Sequence, residues 1–147
     1  MKLKILLYYI FFIGCSNPTA IEEQQLKYVS FDLKLPQDTN GYYYLILDRS
    51  KNQTIHNIYG TVEPEVEYKR FEWESNLSFY SGPYLANTTN IRSYTDKDGE
   101  FINTIGPILE MVGDTMKLTV RWDPTAEFDD MYFYDPTESK TFYIILE

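Results

Sequence analysis

The chain has 147 residues and carries 22 Asp and Glu against 13 Lys and Arg, a formal charge of −9, with 44% hydrophobic residues and 17% aromatics. That acidic balance excludes nucleic acid as a partner, because a phosphate backbone is bound by basic stripes, and the apolar content excludes a chain too polar to bury a core. Its one cysteine, Cys15, excludes an intrachain disulfide, so stability has to come from packing.

Lys2 and Lys4 precede an apolar run from Ile5 to Ile13, and Gly14-Cys15-Ser16 follows. The run is too short for a transmembrane helix, which needs about 20 apolar residues. A short positive region, an apolar stretch and a small residue at its end make an export signal. Phe12-Ile13-Gly14-Cys15 resembles the lipobox of bacterial lipoproteins, with Phe12 standing where Leu is usual. The resemblance implies that residues 1–14 are a signal peptide removed in maturation. It also implies that Cys15 carries diacylglyceryl and usually an N-acyl chain such as palmitate. The protein is then held in the bacterial cell envelope, on the outer membrane, at its periplasmic or surface face. Two or three acyl chains, at about 0.8 kcal/mol per buried CH₂, suffice for a lasting anchor. Without the signal, 11 basic residues face 22 acids, a charge of −11 that disfavours broad contact between the domain itself and lipid. Residues 15–25 are polar, contain Pro18 and show no period, so they read as the lipidated cysteine and a flexible tether.

The domain begins at residue 26. Val29, Phe31, Leu33 and Leu35 alternate with polar residues until Pro36, as a half-buried strand does. Residues 37–41 have turn chemistry, and Tyr42 to Leu47 is a continuous apolar run suited to a strand covered on both faces. The two together predict a hairpin. A weaker strand covers Gln53 to Tyr59. Val66, Tyr68, Phe71 and Trp73 alternate with a phase slip at Lys69-Arg70 that a bulge would absorb. Thr88 to Thr95 reads as a polar strand, and Asp98-Gly99 as a tight turn into Glu100-Phe101-Ile102. Pro107 to Val112 is the single helical candidate, one or two turns long. Met116, Leu118, Val120 and Trp122 give the cleanest alternation, and further strands are expected at Met131 to Tyr134 and Phe142 to Leu146. The last of these carries too much apolar surface to fray, so it belongs inside a sheet. Trp122-Asp123-Pro124-Thr125 and Tyr134-Asp135-Pro136-Thr137 read as one strand-ending turn made twice.

Short strands punctuated by turns predict an all-β fold, an antiparallel β-sandwich of about seven to nine strands, spanning residues 26–147 as one domain. Asp96-Lys97-Asp98-Gly99-Glu100-Phe101 and Gly113-Asp114-Thr115 resemble the hairpin and later strand of carboxypeptidase-regulatory and transthyretin-like modules. The resemblance implies an Ig-like or transthyretin-like sandwich that binds or supports rather than catalyses.

Chemistry has few residues to work with. His56 is the lone histidine, and no G-x-S-x-G elbow accompanies it, so a serine triad or a histidine-pair metal site is not expected. Paired carboxylates for a small carbohydrate-active hydrolase are available only in the trivial sense that acids are many. Asp123, Glu127, Asp129, Asp130 and Asp135, with Glu138 just beyond them, form the densest acidic stretch. No Lys or Arg occurs from 122 to 139, and two adjoining loops of carboxylates make a candidate calcium site, set against a solvated acidic loop. No other cofactor is expected. The aromatic pool of Tyr42, Tyr43, Tyr44, Trp73, Tyr80, Tyr84, Trp122, Tyr132 and Tyr134 supplies either core rings or a contact platform. These features fit a non-enzymatic, lipid-anchored binding or assembly module whose partners are the membrane, through its anchor, and an envelope protein or glycan. An immunity-type lipoprotein whose acidic surface complements a basic toxin is the alternative.

Overall fold

A computed structural model describes residues 24–147, so the signal peptide, Cys15 and most of the tether lie outside the described residues. Ten strands follow in order: β1 (Tyr28–Asp32), β2 (Tyr43–Leu45), β3 (His56–Glu63), β4 (Arg70–Ser75), β5 (Ser78–Ser81), β6 (Tyr84–Asn87), β7 (Arg92–Tyr94), β8 (Glu100–Ile105), β9 (Thr115–Trp122) and β10 (Glu138–Leu146). The expected helical turn is a single 3₁₀ turn at Leu109–Met111, between β8 and β9. The fold is all-β, with a three-stranded sheet ordered β1-β3-β8 packed on a five-stranded sheet ordered β2-β10-β9-β4-β7, and β5-β6 as a separate hairpin.

Alternation decides which side chains meet between the layers. β9 buries Met116, Leu118, Val120 and Trp122 and exposes Lys117 and Arg121, as its period of two requires. From the opposite sheet, Phe31 of β1 reaches into the centre, its ring within 5.6 to 6.1 Å of Phe71, Trp73, Phe101, Trp122 and Phe142. Edge-on pairs of this kind contribute about 0.5–1.5 kcal/mol each beyond the area they bury. Room for the rings comes from Gly60 in β3, directly opposite both Phe31 and Phe101 in register. A Cβ there would lie 2.0 Å from Phe101 Cζ, so no larger residue fits without displacing the ring.

Several expectations are corrected. The segments around β1 and β2 do not form a hairpin: β1 joins the smaller sheet, and β2 pairs in parallel with β10. One parallel pair therefore interrupts the expected antiparallel plan. β2 is also an edge strand of three residues rather than one covered on both faces; among the described residues the two packed sheets hold eight strands, within the expected number, and β5-β6 lies outside them. The Asp96–Gly99 turn is present, with Gly99 at φ 71°, but it carries the chain from β7 in one sheet to β8 in the other. Met131 to Tyr134 is irregular loop. The final strand does lie inside the larger sheet, between β2 and β9. The phase slip at Lys69-Arg70 is resolved by Tyr68, whose φ of 62° turns the backbone so that Lys69, Arg70 and Phe71 are all buried in succession.

Candidate functional site

The chain between β9 and β10, residues 123–137, holds the acidic stretch and part of the aromatic pool. Its base is closed by backbone pairing, since Thr137 N donates to the Trp122 carbonyl at 3.1 Å. Asp123 Oδ1 accepts from Thr125 N at 2.8 Å, the turn expected for Asp-Pro-Thr. The second copy departs from it, because Thr137 N is taken by Trp122 rather than by Asp135. Gln24 to Leu26 run alongside: Leu26 N donates to the Pro124 carbonyl at 2.8 Å and Ala126 N to the Gln24 carbonyl at 2.6 Å. The amino-terminal end of the described chain thus enters beside this loop.

Two contacts lock the loop onto β4. The Lys69 ammonium is 0% exposed and lies 3.0 Å from Asp129 Oδ1, whose side chain is 5% exposed. Asp129 Oδ2 accepts the Arg70 backbone N–H at 2.8 Å, and Lys69 Nζ also donates to the Glu127 carbonyl at 3.4 Å. Taking both charges out of water is costly, and geometry this complete is what offsets it. Next to it the Arg70 guanidinium stacks 3.6 Å above the Tyr134 ring, while the Tyr134 hydroxyl lies 3.0 Å from the Arg121 carbonyl and 3.2 Å from that of Arg70. Burial, then the nearby Asp129 and Glu72 carboxylates, hold the Tyr134 hydroxyl well above the usual phenol range.

Beyond this base the loop turns outward. Phe128, Met131, Tyr132 and Phe133 are 63%, 68%, 81% and 85% exposed, four large apolar side chains within six positions. Asp130 Oδ1 accepts Tyr132 N at 2.8 Å and shapes the turn; Asp130 within the tip and Glu127 and Asp135 on either side of it in sequence are exposed.

The five acids named as a calcium candidate do not converge: among the described residues no three acidic, histidine or cysteine side chains are placed to share an ion. Asp129 is committed to Lys69, and Asp123 and Asp130 each hold a backbone N–H. His56 Nε2 donates to the Leu33 carbonyl and serves the join between β1 and β3. From the aromatic pool, Trp73 and Trp122 are core, Tyr134 is the half-buried pin, and Tyr80, Tyr84 and Tyr132 are exposed.

No protein-family model, no curated protein and no solved structure matches the chain. What the loop can do has therefore to be argued from its own chemistry. Its apolar tip is not legible in sequence because Met131-Tyr132-Phe133-Tyr134 is an unbroken apolar run, and without alternation nothing assigns its rings to core or solvent. The Lys69–Asp129 pair spans 60 positions of chain, and the only trace of it in sequence is the phase slip that puts Lys69 where an apolar residue should be.

Proposed function

We propose that this chain is a lipid-anchored, non-enzymatic module of the bacterial envelope that docks a protein partner through the 128–133 loop tip. One observation carries the reading: the four exposed apolar side chains of the tip sit on a base locked by a buried ion pair. Apolar exposure this concentrated marks a contact site in a soluble domain. Phe, Tyr and Met are residue types enriched in protein interfaces, and Tyr also among the side chains that carry most of the binding energy. A fixed base also means that little loop entropy is lost on binding. The exposed acids in and beside the tip, Glu127, Asp130 and Asp135, select a partner whose apolar socket is bordered by Lys and Arg. The same acids favour, as a second reading, an immunity-type lipoprotein that covers a basic toxin. In support of leaving chemistry out, the single histidine is engaged by a backbone carbonyl.

Crosslinked capture from native envelopes tests the tip. The wild-type chain is expected to retain a partner that the exposed-site variant Phe128→Ser/Phe133→Ser loses. Recovery of the same proteins in the same amounts with both chains would overturn the proposal. A captured partner with a basic toxin-like surface, encoded beside this chain, would select the immunity reading.

A further inference from the structure

A groove of about 520 Å³ crosses the outer face of the three-stranded sheet, on a different part of the molecule from the loop tip. It follows from register. Outward-facing Asp32, Tyr59 and Ile102 form one row across β1, β3 and β8, and Ser30, Thr61 and Glu100 the next. Tyr94 and Asp96, at the β7–β8 crossing, build the wall beyond β8, and Gly60 and Phe101, whose side chains belong to the core, contribute floor. The volume lies within the range of pre-formed small-ligand sites, about 300–1,000 Å³.

Two of the groove's three carboxylates, Asp32 and Asp96, are held by backbone N–H groups, and the third, Glu100, is exposed on β8. Asp32 Oδ1 accepts Lys34 N at 2.9 Å, and Asp96 Oδ1 accepts Asp98 N at 2.9 Å and Glu100 N at 3.0 Å. Each of these two carboxylates is thereby fixed by one oxygen, and its other oxygen makes no hydrogen bond among the described residues. Ser30 Oγ and Thr61 Oγ1 lie 2.7 Å apart. Lys34, in a left-handed conformation at φ 51°, brings its ammonium 4.1 Å above the Tyr59 ring and so into the groove. Tyr94 and Ile102 stay half open to solvent as the apolar surface.

An apolar strip edged by three carboxylates, two of them fixed, with hydroxyls and one donor beside it, matches the two faces of a sugar ring. Its C–H face packs on an aromatic ring, and its hydroxyls donate to carboxylate oxygens in charge-assisted bonds. Three carboxylates against one ammonium repel uronic and sulfated sugars. Lys34 occupies the Tyr59 face that a partner cation would seek, which counts against a basic peptide. From these features we infer that the groove binds a neutral oligosaccharide, with Tyr94 as the stacking ring and Asp32 and Glu100 as hydroxyl acceptors. The inference stands independently of the anchor and of the loop tip.

Titration calorimetry on the full chain in detergent, with cello-, malto-, xylo- and manno-oligosaccharides up to about 10 mM, reads the site directly. At least one is expected to bind. Tyr94→Ala and Glu100→Gln, both exposed, are expected to weaken it by about tenfold or more each. Phe128→Ser/Phe133→Ser is expected to leave sugar binding intact, which separates failure here from failure of the docking proposal. Absence of binding by every sugar, binding unchanged in the Tyr94 and Glu100 variants, or binding of oligolysine alone would each overturn the assignment.

Discussion

Lys69 is the residue on which the loop's order rests. Its ammonium is fully buried and, among the described residues, its charge is met by Asp129, with the Glu127 carbonyl as a longer second acceptor. Asp129→Ala is therefore expected to leave a buried cation without its counter-charge and to cost about 3–5 kcal/mol of unfolding free energy. Urea denaturation checks this. The double variant Lys69→Met/Asp129→Leu should recover most of the loss, because it removes the desolvated charge as well as the pair. If Asp129→Ala were as stable as wild type, the loop base would be loose and the fixed tip would lose its foundation. Lys69 itself was visible in sequence only as a break in alternation, and its partner was read as one acid among several.

At the level of elements, Tyr134 couples the β9–β10 connection to two strands at once, since its hydroxyl lies against carbonyls of β4 and β9. Its neutral form is the one that fits. The folded-state pKa is raised above that of the unfolded chain, so the contribution to stability is complete below about pH 10 and is lost as pH rises beyond it. The slope from this one group is at most about 1.4 kcal/mol per pH unit, lessened because solvent reaches the half-buried ring. Tyr134→Phe is expected to flatten the decline of the melting temperature between about pH 10 and 12 relative to wild type. An identical decline in both proteins would count against the phenol as the pin. The same element shows why pattern alone misplaced it. Met131 to Tyr134 is rich in strand-forming residues, but the loop meets β4 through side chains, and no neighbouring strand takes up its backbone as a ladder.

Taken whole, the molecule joins a two-layer sandwich with an apolar core to a chain entering beside its candidate contact loop. Gln24 lies nine positions beyond Cys15, a reach of at most about 30–32 Å. An anchor at Cys15 would therefore keep this loop close to the membrane. Cys15→Ala is expected to move the protein from the membrane to the soluble fraction and to abolish labelling by palmitate; retention with undiminished labelling would refute the anchor.

Local period and composition were enough for the all-β class, the alternation of β9 and the burial of the last strand. Only the packed structure shows which strands are neighbours, that β2 runs parallel to β10, that Lys69 finds Asp129, and that three strands and the turn before β8 form a groove. The physical reason is the same in every case. Alternation says which side chains face inward, whereas pairing between segments tens of residues apart is settled by how the two layers bury their aromatic rings together.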